Sequence, residues 1–404
     1  MKRPEFIEIA GGITAAKGVL AAGIACGIKK TGAKDLALIV SEEPASVAAI
    51  FTTNRVQAAS VLLCRQTLKK GVLGAVVVNS GNANACTGPQ GLADAKRMQT
   101  ETAKALKISW GQVFVASTGV IGQRLPLKDI VKGIPKAAKL LSRRGGADAA
   151  EAIMTTDAFS KSAALKVVTR QGEYVIGGIA KGAGMICPQM ATMLAFIATD
   201  ADISTRPLQK ALSYAVDHSF NCITVDGDTS TNDTVLAFAN GAGGVKIKSE
   251  KEQETFTLAL QKVTAKLAKM IVRDGEGATK LLEIKVKGAR SLQEARGAAK
   301  AVANSLLVKT AFFGEDLNWG RIMAALGYSG ARFNPHKVDI SISGVPVVKR
   351  GLSMGSAAEK KAAPGLKKKE ILLDINLHSG LREATIWGCD LSLDYVKINA
   401  SYRS

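Results

Sequence analysis

The residues best suited to chemistry lie in one stretch, 181–194, which reads KGAGMICPQMATML. Gly182 and Gly184 let the backbone turn tightly or approach a neighbour closely. Pro188 stiffens the segment and removes a donor. Thr192 follows the small residue Ala191, with no histidine or carboxylate within several positions. A threonine hydroxyl is a weak nucleophile unless a base stands beside it. Breaking the chain just before Thr192 would supply one, because its own α-amine then becomes free. An α-amine titrates at about 7.7–8.0, well matched to proton transfer near neutrality. The plainer alternative is a β-branched residue opening a strand.

Other segments carry donors or charges after short apolar runs. Residues 117–122 read STGVIG. If an acyl group passes through a tetrahedral intermediate, its oxyanion needs preorganised donors about 2.7–3.1 Å away. A threonine hydroxyl and a glycine N–H at a strand end can provide them, although the same residues also suit a simple turn. Residues 79–88, NSGNANACTG, favour positive φ and can aim backbone N–H groups at an anion. Thr155-Thr156-Asp157 could bind a ligand or merely satisfy nearby backbone. Lys181 is a natural cation for a substrate carboxylate, yet its spacing alone is that of any surface lysine. Glu276 lies between Gly275 and Gly277, so its carboxylate can approach a ligand or cap a helix. Residues 226–234, DGDTSTNDT, suggest calcium. The EF-hand pattern fails, since Thr231 stands where glycine and Ala237 where glutamate are required. The segment reads as a structural loop near the site, and no metal is expected.

The elements that must position these residues alternate between strand and helix periods. Strands are expected at 35–40 and 46–51, with a turn at 42–44, and at 74–79, 113–116, 173–180, 193–199, 282–287, 338–342 and 371–377. Helices are expected at 92–106, 127–141, 147–154, 207–220, 252–273 and 291–304. The basic run 360–369 reads as a solvated turn. This alternation defines an α/β protein.

A chain of 404 residues easily buries a core, and 47% hydrophobic with 22% charged residues is ordinary for a globular protein. The net charge of +20 invites a nucleic-acid reading. The basic runs are scattered and lack interleaved aromatics for base stacking, so they read mainly as a solvated surface, with steering of acidic substrates as a second use. The six cysteines form no CxxC pair, which disfavours zinc and a disulfide scaffold and fits a cytoplasmic protein. No apolar run approaches about 18 residues, so no membrane span is expected. Glu5, Glu8 and Lys17 interrupt any signal-peptide core. Three histidines, none clustered, leave little material for a histidine triad.

Residues 181–194 resemble the self-cleavage site of the ornithine acetyltransferase family, also called glutamate N-acetyltransferases. The match includes Lys181, Gly182, Gly184, Met185, Ile186, Pro188, Met190, Ala191, Thr192, Met193 and Leu194; Gln189 stands where many members have Asn, and Cys187 occupies a variable position. Further matches run from the GGIT opening through FTTN, NSGNANACTG, STGVIG, TTD, VDGDTSTNDT and DGEGATK to DLNWGR and the terminal DYVKINASYRS. The resemblance implies an α/β/β/α layered sandwich with a second, smaller α/β lobe in the second half. It implies self-cleavage between Ala191 and Thr192, giving an α chain of residues 1–191 and a β chain of residues 192–404. It implies Thr192 as nucleophile, Thr118 and Gly119 as the oxyanion hole, and Thr155, Lys181, Thr192, Glu276, Asn399 and Ser404 as substrate contacts. Ser404 keeps the hydroxyl of the threonine often found there. The implied reaction is acetyl transfer from N2-acetylornithine to glutamate without a cofactor, with acetyl-CoA as a further possible donor, in a heterotetramer of two α and two β chains. Two other classes stay open: a self-processing threonine hydrolase or aminopeptidase with water as acceptor, and a basic nucleic-acid-binding protein.

Overall fold

Strict two-residue alternation within the strands decides the architecture. The structure, a computed structural model, describes residues 4–187 and 193–401. Among these, β1 (Glu5–Ile9), β2 (Val19–Ile24), β3 (Leu36–Phe51), β4 (Val72–Asn82), β5 (Val113–Val120), β6 (Lys161–Thr169), β7 (Gly172–Lys181), β8 (Leu194–Thr199) and β9 (Thr234–Ala239) form one connected sheet. Its order is β1-β6-β7-β8-β9-β3-β4-β5, with β2 paired to β3.

β3 folds this sheet into two layers. Its first part pairs with β2 and β4, and Ser46 to Phe51 pair with β9. The register against β4 shifts between Val40 and Ala45. The turn expected at 42–44 is therefore absent: the chain continues as one 16-residue strand that bends at an irregularity and passes between layers. Ile39, Val76, Val78 and Phe114 on one layer meet Phe196, Leu236 and Phe238 on the other in a shared apolar cluster. Their sequence neighbours face outward. Leu38, Val77 and Val115 pack under the helices Ala59–Leu68, Gly88–Leu106 and Leu127–Lys139. Ala195, Ile197, Val235 and Ala237 join the cluster built with the helices Thr205–Asp217 and Glu250–Arg273. The result is the expected α/β/β/α sandwich.

The smaller lobe follows. β10 (Leu281–Ala289), β11 (Asp339–Ile342), β12 (Val345–Lys349), β13 (Leu352–Ser353), β14 (Glu370–Asn376) and β15 (Arg382–Cys389) form a second sheet in the order β13-β12-β11-β14-β10-β15. The solvated turn expected at 360–369 is mostly the helix Gly355–Leu366. Its lysines are exposed as expected, but Ala362 and Leu366 are buried and dock it beside β12. Its apolar anchors are only a few positions in a basic run, too few to set a readable period.

Helix Glu250–Arg273 links fold to function. Ser249 and Glu252 form a reciprocal capping box that fixes its start. It packs on β6 and β7, and its end delivers Asp274 to the start of β6 and Glu276 to the segment after β7. No helix among the described residues is long and apolar enough to cross a membrane.

Phe238 is 1% exposed between the two sheet layers. Phe238→Ala should lower the unfolding free energy by about 3–5 kcal/mol. Denaturant titration reads this as a lower midpoint at unchanged slope.

Candidate active site

A cleft of about 170 Å³ opens where the ends of β4, β5 and β7 meet the starts of β8 and β9. Its lining includes Thr118, Gly119, Thr155, Lys181, Glu276 and Asn399. These six expected site residues, drawn from positions 118 to 399, thus converge. Ala191, Thr192 and Ser404 lie outside the described residues.

Gly119 closes β5 against β4. Its φ is +129°, and it sits in register with Gly81. A Cβ there would fall 2.3 Å from the Gly81 carbonyl carbon and 2.5 Å from Asn82 N. Only glycine permits this approach, which sets the buried Thr118 hydroxyl at the cleft.

Lys181 is the last residue of β7 and 2% exposed. Its ammonium donates to Thr155 Oγ1 at 2.8 Å and to Thr118 Oγ1 at 3.4 Å. Burial pushes the Lys181 ammonium below the usual lysine range, while the Asp157 carboxylate at 3.9 Å works against that shift. The spacing-based alternative of a surface lysine is excluded.

Asp157 satisfies backbone groups, as one reading of its sequence had it, and its ion pairs add a role that the sequence did not show. It accepts from Lys161 Nζ at 2.7 Å, Gly182 N at 2.7 Å and Thr155 N at 2.9 Å. Burial alone would raise its pKa, but Lys181 and Lys161 hold the carboxyl well below the usual range. Lys161 is fully buried and also reaches Asp274 at 2.5 Å. Burial pushes the Asp274 carboxyl up, with Lys161 opposing. The i, i+4 spacing of Asp157 and Lys161 was visible, but nothing in it marks a buried pair.

Glu276 follows Asp274 by two residues. Its backbone N–H donates to Ala183 O at 2.9 Å, and its Oε2 accepts from Asn399 Nδ2 at 2.8 Å. A Cβ on Gly184 would lie 2.3 Å from that same Oε2, so Gly184 makes room for the carboxylate. Asn399 comes from the helix Leu393–Ser401, which brings the far end of the chain to the cleft.

The segment 226–233 is a structural loop at the site, as its match to the family pattern implied. Asp226 accepts from Met185 N at 2.5 Å and Ile186 N at 2.9 Å. Asn232 Nδ2 donates to Ala83 O at 2.6 Å and Ser117 O at 2.7 Å. Asp233 Oδ1 accepts from Met193 N at 2.9 Å. Asp226, Asp228, Ser230, Thr231 and Asn232 also line the cleft, together with Tyr395.

The cleft therefore offers hydroxyls and a buried cation at one side and carboxylates at the other. A four-layered α/β/β/α fold carrying such a small, polar, charged cleft is the build of an enzyme for small polar molecules. The family model described as ArgJ family matches residues 20–404. The arginine biosynthesis bifunctional protein ArgJ of Symbiobacterium thermophilum is 53% identical over 98% of this chain and 99% of its own length. The protein of the same name from Geobacter sulfurreducens is 50% identical over 96% of this chain and 99% of its own. A crystal structure of arginine biosynthesis bifunctional protein argJ from Bacillus halodurans matches 48% of this chain and 100% of that chain, at 40% identity and a TM-score of 0.44. This chain belongs to the ArgJ family.

Asp157→Asn removes the charge shared by Lys161 and Lys181 and leaves two buried cations under-compensated. It should cost about 3–5 kcal/mol of stability at neutral pH. Because the folded carboxyl titrates below the unfolded one, the wild-type advantage is complete above about pH 4. It shrinks as the pH falls further, toward the depressed folded value. Paired denaturation curves over an acid series check both sign and window.

Proposed function

We propose that the chain is an acetyltransferase of arginine biosynthesis, moving the acetyl group of N2-acetylornithine to glutamate and giving ornithine and N-acetylglutamate. The observation that carries this reading is the convergence of Thr118, Gly119, Thr155, Lys181, Glu276 and Asn399 on one cleft. The names borne by relatives about 50% identical over nearly the full chain support it.

The chain first cuts itself between Ala191 and Thr192, separating residues 1–191 from 192–404. The free Thr192 amine then takes the proton as Thr192 Oγ1 attacks the acetyl carbonyl. Thr118 Oγ1 and Gly119 N–H bind the oxyanion, and the Lys181 charge beside Thr118 favours the same developing charge. Ornithine leaves with the returned proton. Glutamate enters the same cleft, and its amine takes the acetyl from Thr192, so the kinetics are ping-pong. Lys181, Thr155 and Ser404 serve substrate carboxylates, while Glu276 and Asn399 serve amines. No cofactor is required; acetyl-CoA is a further donor candidate. The working form is a cytoplasmic heterotetramer of two α and two β chains.

Denaturing intact mass should give two chains that meet at Ala191/Thr192, and Thr192→Ala should give one uncut, inactive chain. An active uncut Thr192→Ala protein contradicts the mechanism. Acetyl release to water with none on glutamate points instead to a threonine hydrolase. Thr118→Ala should lower kcat by about 10²–10³-fold with a much smaller change in KM. Steady-state kinetics on fully cut protein measure this.

A further inference from the structure

The segment that carries Thr155 hangs on groups outside the cleft. The helix Gly146–Ala152 ends just before it, and the carbonyls at a helix end need donors. Ser80 Oγ donates to Ala152 O at 2.6 Å, and Lys29 Nζ donates to Met154 O at 2.8 Å. Met154 is bonded directly to Thr155, whose hydroxyl accepts from Lys181.

Lys29 is itself closely placed. Asp35 is fully buried and accepts from the backbone N–H groups of Cys26, Gly27, Ile28 and Lys29 at 2.6, 3.2, 2.6 and 2.9 Å. One carboxylate thus grips four successive residues. Asp35 O also accepts from Ser80 N at 2.9 Å, next to Gly81. A Cβ on Gly81 would lie 3.0 Å from Ile28 Cγ2 and 3.4 Å from Lys29 Cγ. The Lys29 stem therefore passes over Gly81, the register partner of Gly119. One side chain runs from the paired ends of β4 and β5 to the Thr155 segment.

The partners of its ammonium set it apart. Besides Met154 O, it donates to Lys34 O at 2.7 Å. Both acceptors are carbonyl oxygens, and no carboxylate among the described residues forms an ion pair with it. Lys34 instead pairs with Asp148 and Glu151, and Lys161 with Asp157 and Asp274. Holding a half-buried ammonium without a carboxylate is costly, so a lysine kept there sets the position of its carbonyls rather than compensating a charge. Burial pushes the Lys29 ammonium below the usual lysine range, with Asp35 and Asp157 opposing and Lys181 adding to the shift.

We infer that Lys29 is a positioning residue for the substrate carboxylate: its ammonium fixes the Met154 carbonyl, and through it the Thr155 hydroxyl, against Lys181. A carboxylate entering the cleft then meets Lys181 and Thr155 as a preset pair. N2-acetylornithine and glutamate both carry an α-carboxylate, so one preset pair serves both half-reactions.

This role rests on the acetyl transfer proposed above. The test is steady-state kinetics on fully cut protein, with N2-acetylornithine and glutamate varied in turn. Lys29→Met keeps a stem over Gly81 and removes the donor. It should raise KM for both substrates about 10-fold and change kcat by less than about 3-fold. A merely structural defect would reduce the amount of active enzyme and lower kcat at unchanged KM; that result overturns the inference, and so do two unchanged constants. Lys30→Met, at the exposed neighbour, should leave both constants as they are, and an equal rise in KM there also overturns it. Because Lys29 acts through Thr155, Lys29→Met should raise the KM of Thr155→Val by less than about 2-fold, whereas full additivity means that it does not. Should Lys29→Met not fold, Lys29→Gln takes its place in the same cycle. A wild-type protein that transfers no acetyl to glutamate, by contrast, defeats the proposed function itself and the inference with it.

Discussion

The site depends on a buried set of charges: Lys161 and Lys181 against Asp157 and Asp274. Lys161, Lys181 and Asp157 come from β6, the end of β7 and the loop after the helix Gly146–Ala152; Asp274 caps the helix Glu250–Arg273. Asp157 and Lys161 are fully shielded side chains, so their attraction is little weakened by water or salt. An equally deep set with one member missing would leave a charge uncompensated, and the elements that carry it could not close. The arrangement also explains why Lys181 can stay buried and aimed at hydroxyls. Asp157 compensates its charge from 3.9 Å without occupying the cleft side of the ammonium, where Thr118 and Thr155 stand.

The loop 226–233 performs a complementary task through backbone contacts. One loop, leading from the short helix Phe220–Cys222 into β9, touches three separate places: residues 185–186, the Ser117 and Ala83 carbonyls, and Met193. It thereby fixes the Thr118 end of β5 relative to residues 185–186 and Met193. Parallel pairing of β4 with β5, and of β8 with β9, makes this possible. In each pair two ends of like polarity lie side by side, so a loop arriving at one strand can reach its neighbour.

The alternation of apolar residues made the layers legible, and strand ends rich in Gly, Thr and Asn marked Thr118 and Gly119. The resemblance along the chain pointed to Asn399 and to Glu276, which its glycine neighbours alone read as part of an ordinary capping turn. What stayed hidden depends on partners distant in sequence. Lys161 meets Asp274 across 113 positions, and Asn232 meets Ser117 across 115. Lysine is seldom fully buried, so composition argues against reading Lys161 as interior. The bend within β3 was hidden for a different reason. Ser-Glu-Glu-Pro resembles a turn locally, and only pairing to two separate strands keeps it extended.

Two glycines show how closely the cleft is drawn. Gly119 brings β5 against Gly81 where any side chain would strike backbone, and Gly184 brings the loop after β7 against the Glu276 carboxylate. Neither position gains packing energy from its residue; each removes atoms so that a charged or hydrogen-bonding group can stand where it does. At Gly184 the obstacle would be the end of a flexible side chain, which can rotate away at the expense of its bond to Asn399. At Gly119 the obstacle is the neighbouring strand itself, which cannot move without disturbing the register that sets Thr118. The Thr118–Gly119 end of the cleft is therefore the rigid one, held by the sheet, and the carboxylate end is the adaptable one, held by side chains. That division suits a site in which the acyl chemistry is constant while the molecule bearing the amine changes.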